Sequence, residues 1–258
     1  MGTRRRFAVV GATGRVGRHV VDVLTERGHD VVAIARSTGV DVISGDGLAD
    51  SLSGVEGVVD AATGPSRERG RATEFFTAAA RNLHAAGQHA GVQRIVAVSM
   101  IGADRLEGGY GAAKLAHERA ILEGPVTARI LRAAQLHELV GQLTDRGRRG
   151  HVAYVPRART QLVSARAVGE ALAAIACGSP SAIGYTPSGL YEIAGPREES
   201  LVDAAILLAA RRGDPVEIAG TDNPDDPDSQ VYRSGGLLPN PGAILAGPTF
   251  EEWLVTHA

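Results

Sequence analysis

The sequence predicts an α/β fold: a doubly wound parallel sheet with a small C-terminal α+β lobe. Three observations carry that prediction. The first half alternates short apolar runs with amphipathic stretches of helical spacing. The apolar runs lack interior polar positions, as strands covered on both faces do. With 44% hydrophobic residues but only 4% aromatics, the core must be built from Val, Ala, Leu and Ile, which suit a helix-covered sheet.

Residues 7–11 form the first strand. Residues 15–27 form a helix with Val16, Val20, Val23 and Leu24 at helical spacing, and it stops at Gly28, a natural position after a helix end. A second strand spans 31–35, a short third 40–43 and a fourth 57–62. The helix over 72–86 places Phe75, Phe76, Ala79 and Leu83 on one face before Gly87. The fifth strand is 94–99, and a helix over 110–122 ends at Gly124 and Pro125 before a sixth strand at 126–131.

Beyond residue 133 the alternation loosens into an Arg/Gly-rich loop at 147–150, helices at 166–176 and 198–212, and an acidic run at 222–228. That run lacks the central glycine and terminal glutamate of a calcium loop and reads as solvated. The expected organisation is a core of residues 1–132 and a lobe of 133–258, packed into one compact unit.

The 27 basic and 29 acidic residues leave a net charge of -2, so no global field favours nucleic acid or an anionic membrane. No run approaches the roughly 20 apolar residues of a membrane span. Cys177 is the only cysteine, so no internal disulfide forms, and beside Gly178 it reads as a small buried hydrophobe. A cytoplasmic location is expected, with Arg4, Arg5 and Arg6 as a solvated tail rather than part of a leader. The 8 histidines form no ligand cluster, so no metal is expected. A monomer or homodimer acting on a small-molecule substrate is the expected state.

Glycines at 11, 14 and 17 stand between a predicted strand and a predicted helix, where small residues let backbone amides approach a pyrophosphate. This is the Rossmann arrangement. At the end of the second strand, where an acidic residue selects NAD, the chain has Arg36, Ser37 and Thr38, a set suited to a 2′-phosphate. NADP(H) is therefore favoured over NAD(H), with a solvated loop arginine as the plainer alternative. Of 27 basic residues 26 are arginine, and the lone lysine, Lys114, follows Tyr110 by four, on one helical face. A compact ammonium of tunable pKa is what arginine cannot supply. Ser99 ends the fifth strand, where such sheets present residues to a ligand crevice. His137 and Tyr154 could contact substrate there or serve as ordinary surface polar residues.

The segments GATGRVG, AVSMIGA and YGAAKLAHERAI, with the closing TFEEWL, resemble the atypical short-chain dehydrogenases/reductases related to NmrA. The likeness covers residues 7–132 well and the rest loosely. It implies a Ser99–Tyr110–Lys114 triad. It also implies cofactor contacts at Gly11, Thr13, Gly14, Arg15, Val16, Gly17 and Arg36, and adenosine contacts at Asp46, Ala61, Ala62, Thr63 and Gly64. The implied activity is NADPH-dependent reduction of a carbonyl or enone. Tyr110 protonates the developing alkoxide, Lys114 lowers the phenol from about 10 toward neutrality, and Ser99 orients the carbonyl. Ser99 and Tyr110 stand closer together in sequence than in ordinary members. Relatives that lack the tyrosine act as NAD(P)-sensing regulators, which is the alternative reading. The complete Tyr-x-x-x-Lys favours an enzyme.

Overall fold

The computed structural model describes residues 3–178, 188–223 and 225–257. Pro224 of the acidic run lies outside the described residues. The chain begins β1 (Arg6–Val10), α1 (Gly17–Glu26), β2 (Asp30–Ile34), a 3-10 turn (Arg36–Thr38), α2 (Leu48–Ser51), β3 (Gly57–Asp60) and α3 (Arg69–Ala90). It continues through β4 (Arg94–Met100), α4 (Gly109–Leu122), β5 (Ala128–Ala133), α5 (His137–Gly147), β6 (Arg148–Arg149), β7 (Val152–Pro156), β8 (Arg159–Thr160) and α6 (Ala165–Ala176). The remaining elements are β9 (Leu190–Ala194), β10 (Glu199–Ser200), α7 (Leu201–Arg212), β11 (Glu217–Thr221), α8 (Ser229–Arg233), β12 (Ile244–Leu245) and α9 (Phe250–His257).

Seven strands form one parallel sheet in the order β2-β1-β3-β4-β5-β9-β12. Alternate residues of each strand enter two cores. Val9, Val59, Val96 and Leu131 face α1 and α6, while Val10, Val58, Ile95 and Ile130 face α3 and α4. Burial on both faces is why the runs carry no polar alternation. Helix α1 ends as expected before Gly28, whose φ is +78°. Helix α3 runs past Gly87 to Ala90, because the left-handed turn falls at Gly91 instead.

Two expectations about the sheet are corrected. Residues 40–43 are not a strand. Val40 and Val42 are buried as pegs, and the carbonyls of Val42 and Ile43 are taken by the Asn82 amide instead of a neighbouring strand. The division at 132/133 does not separate the sheet either, since β9 and β12 complete it and α6 covers it.

The rest of the second half stands over the C-terminal ends of the strands. Helices α5, α7 and α9 and the sheet β6-β7-β11 share a third core around Val140, Val155, Leu208 and Phe250. The 147–150 stretch is the end of α5 and the turn of the β6–β7 hairpin. The acidic run is not wholly solvated. Asp228 is buried and accepts hydrogen bonds from the amides of Glu107 (2.8 Å) and Gly108 (3.1 Å), which pins the lobe to the loop before α4. Below that loop, Arg132 of β5 makes a buried two-pronged ion pair with Glu118 of α4 at 2.9 and 2.7 Å, and reaches Asp104 at 3.0 Å. This clamp sets the rotation of α4, and with it the face carrying Tyr110 and Lys114. Among the described residues no helix is long and apolar enough to cross a membrane.

Candidate active site

Strands β1, β2 and β3 diverge where the chain order reverses, and the turn after β1 sits in that crevice. Gly11 has φ +72°, and a Cβ there would lie 2.8 Å from the carbonyl oxygen of Ala61. A Cβ on Gly17 would overlap the carbonyl oxygen of Gly11. Both positions therefore require glycine. The Gly14 amide closes the turn on Gly11 at 2.9 Å, and α1 starts with no side-chain cap. The amides of Arg18 and Val20 bond the carbonyls of Gly14 and Val16, so the donors left for an anionic group are the amides of Arg15, Val16 and Gly17. Arg15, Val16, Ala61, Ala62 and Thr63 line the adjoining cleft, whose volume is about 240 Å³. Thr13 is exposed on the same turn, and Gly64 packs against the Phe75 ring.

Arg36 is exposed at the end of β2 and makes no side-chain hydrogen bond or ion pair among the described residues, so its guanidinium can take a phosphate. Thr38 cannot add its hydroxyl as expected. It is engaged with the Ala35 amide at 3.1 Å and the Ala35 carbonyl at 2.8 Å, which fold the 3-10 turn. Asp46 is exposed and accepts from the Ser44 hydroxyl at 2.8 Å. Neither Arg36 nor Asp46 lines the cleft.

Ser99, Tyr110 and Lys114 do line it together with Arg15 and Val16 of the glycine turn, whose Gly11, Thr13, Gly14 and Gly17 do not. Despite the short interval between them, Ser99 and Tyr110 both reach the cleft, because β4 leads into α4 through 101–108. The hydroxyl of Ser99 is buried without a hydrogen-bond partner among the described residues, an unusual state for a buried polar atom and one that a ligand carbonyl or amide would relieve. Lys114 is buried, its Nζ 4.3 Å from the centre of the Phe76 ring and 3.0 Å from Nδ1 of His117. Nε2 of His117 reaches Oδ2 of Asp60 at 3.0 Å, and Oδ1 of Asp60 accepts from the Ala62 amide.

Burial pushes Lys114 down to about 8, against the opposing charges of Asp60 and Glu118. Burial also lowers His117, so its ring is neutral, accepting from Lys114 and donating to Asp60. Burial acts to raise the Asp60 carboxyl, but the His117 bond and the Lys114 charge outweigh it and hold the group below its usual range. Tyr110 differs from expectation. Its phenol is pushed up to about 12 by burial, and the charge that opposes this is Arg67, whose guanidinium carbon lies 5.5 Å from the ring centre. The charges acting on the phenol are Arg67 and Asp60, and the Lys114 ammonium is bonded to His117.

Sequence reasoning missed Asp60, His117 and Arg67, and also Gln142 and Arg146 of α5. His117 carried a signal, since positions 110, 114 and 117 share one helical face. Asp60 carried a weaker one as the last residue of a strand at the binding edge. His137 is buried against Phe250 and Trp253, and Tyr154 is exposed on β7; neither lines the cleft. Cys177 is buried and free, and burial raises its thiol. Among the described residues no group of three or more His, Cys, Asp or Glu could hold a metal.

A parallel sheet with a glycine turn at its switch point and an uncapped helix behind it defines a dinucleotide-binding protein of Rossmann type. The chain belongs to the NAD(P)H-binding family, whose sequence profile matches residues 11–176. No curated protein sequence matches it. Among solved structures it is similar to MoeE5 in complex with UDP-glucose and NAD, at 20% identity and TM-score 0.70, covering 97% of this chain and 96% of that one. It is also similar to a GDP-6-OMe-4-keto-L-xylo-heptose reductase from C. jejuni, at 14% identity and TM-score 0.71, covering 100% and 99%. A third is the Thermus thermophilus UDP-glucose 4-epimerase in complex with NAD, at 18% identity and TM-score 0.66, covering 98% and 92%. At such identities these likenesses establish the fold.

Proposed function

We propose that the protein is an NADPH-dependent oxidoreductase that reduces a carbonyl or enone of a small molecule, with Ser99, Tyr110 and Lys114 as its working residues. The observation that carries this reading is the buried, unpartnered Ser99 hydroxyl in the cleft that Tyr110 and Lys114 share with the glycine turn. The residues present fit a dinucleotide: a turn that a Cβ would fill, the amides of Arg15, Val16 and Gly17, and an Arg36 with no side-chain partner among the described residues. When bound, the nicotinamide cofactor supplies the hydride.

Ser99 donates to the substrate oxygen and fixes its place. Tyr110, whose high pKa keeps it fully protonated at neutral pH, carries the proton that the oxygen takes up as negative charge develops. Lys114 supplies positive charge to the same cleft. The His117–Asp60 chain runs from Lys114 to a buried carboxylate, and its contacts hold Lys114 in place. Asp60 and His117 are thus positioning residues. Arg36 takes the 2′-phosphate, which favours NADPH.

The alternative, a non-catalytic NAD(P) sensor, is favoured by one observation, the turn of Lys114 toward His117 instead of Tyr110. A panel of aldehydes, ketones, quinones and enones assayed for NADPH oxidation separates the two. Turnover that falls by about 10²-fold or more in Tyr110→Phe supports the enzyme. Tight NADPH binding with no turnover across the panel supports the sensor.

A further inference from the structure

We propose that the substrate carries an anionic group, a carboxylate or phosphoryl oxygen set, held between Arg67 and Arg146 at the Tyr110 end of the cleft. This rests on reading the cleft as the active site. The charged residues lining it are Arg15, Arg67, Lys114 and Arg146, and no carboxylate lines it, although acidic residues outnumber basic ones in the chain. The cleft is therefore a cationic spot in a slightly acidic protein.

The arginines are also free. Neither the Arg67 nor the Arg146 guanidinium makes a hydrogen bond or ion pair among the described residues. Several arginines elsewhere find carboxylates. Arg148, two residues beyond Arg146, grips Asp214 at 2.8 and 2.7 Å, and Arg166 and Arg159 hold Glu26 and Glu198. Arg67 and Arg146 lie close enough that, after burial, the Arg146 charge is the largest influence lowering Arg67. Two like charges facing one partly desolvated space, with nothing to neutralise them, repel until an anion enters. The planar fork of arginine matches carboxylate and phosphate oxygens two at a time.

Position separates these arginines from the cofactor. Arg15 belongs to the glycine turn and the α1 amides, where a pyrophosphate is held, whereas Arg67 lies over the Tyr110 ring. Arg146 lies on the α5 face formed by Leu139, Gln142 and Leu143, all of which line the cleft. The site therefore selects a molecule with its reactive carbonyl toward Ser99 and Tyr110, an apolar body along Leu139 and Leu143, and an anionic end between the arginines.

The test uses two matched pairs, 4-formylbenzoate with its methyl ester and glyceraldehyde 3-phosphate with glyceraldehyde. Calorimetry on the NADP⁺-loaded protein reads binding, and NADPH oxidation reads turnover. The charged member of one pair should bind about tenfold or more tightly than its neutral partner, and the pair that shows this distinguishes carboxylate from phosphate. The preference should fall to within about threefold in Arg67→Gln and in Arg146→Gln, and recover in part in Arg146→Lys, which keeps charge but loses the fork. No preference in either pair overturns the proposal, as does a preference that survives both glutamine substitutions. A charge preference in binding without turnover upholds the anion site and counts against the reductase reading alone.

Discussion

The ammonium of Lys114 lies 3.0 Å from Nδ1 of His117, one turn further along α4. This contact, closed on the far side by Asp60, gives the only lysine of the chain a fixed place inside the protein instead of a solvated one. Because it is the only lysine, ¹³C-lysine labelling yields one side-chain signal whose titration reads Lys114 directly. Its midpoint should fall near 8, as burial dictates. Asp60→Asn removes a charge that favours the ammonium, so the midpoint should drop further. A midpoint near that of a solvated lysine, or one unmoved in Asp60→Asn, contradicts the chain of contacts.

The same titration sets a pH dependence. Carbonyl reduction consumes a proton and uses the charged form of Lys114, so kcat/KM should fall as pH rises through about 8. In Asp60→Asn this limb should move to lower pH together with the NMR midpoint. A profile flat from pH 6 to 10 excludes Lys114 from the reaction.

Cofactor choice follows from Arg36. A charge-assisted contact to the 2′-phosphate is worth about 1.5 kcal/mol or more, so NADPH should bind about tenfold tighter than NADH by nicotinamide fluorescence. Arg36→Asp should reverse the order by repelling the phosphate and accepting from the ribose hydroxyls. Equal affinities in the unmutated protein contradict this role.

Structural and functional parts should separate under mutation. Glu118→Ala removes the two-pronged partner of the buried Arg132 guanidinium and leaves it only the half-exposed Asp104, which should cost about 3 kcal/mol in chemical denaturation. Gly17→Ala forces a methyl group onto the Gly11 carbonyl and should cost about 3 kcal/mol while weakening NADPH binding. If Gly17→Ala bound NADPH normally, the glycine turn would not be the phosphate site.

How much was legible in the sequence depends on how local each signal is. The strands, the glycine turn and the Tyr110–Lys114 face were readable because strand burial and helical spacing are periodic properties of neighbouring residues. The 40–43 segment misled because its valines are buried like strand valines while Asn82, about 40 positions away, takes the carbonyls a strand partner would have. The second half was opaque for a related reason. Strand β9 is paired with β5 across almost 60 residues, and α5 earns its place through the cleft rather than through a long apolar stripe. The Asp60–His117–Lys114 chain joins β3 to α4 and exists only once the sheet brings them together.

The central claim is that Tyr110 delivers a proton while hydride passes to a carbonyl in this cleft. The most direct measurement is single-turnover transfer of deuterium from 4-deuterated NADPH to a substrate found in the panel, with the product's carbinol carbon read by mass spectrometry. The account predicts deuterium at that carbon in the unmutated protein. In Tyr110→Phe it predicts transfer slowed by about 10²-fold or more with NADPH affinity retained. Undiminished transfer in Tyr110→Phe would contradict it.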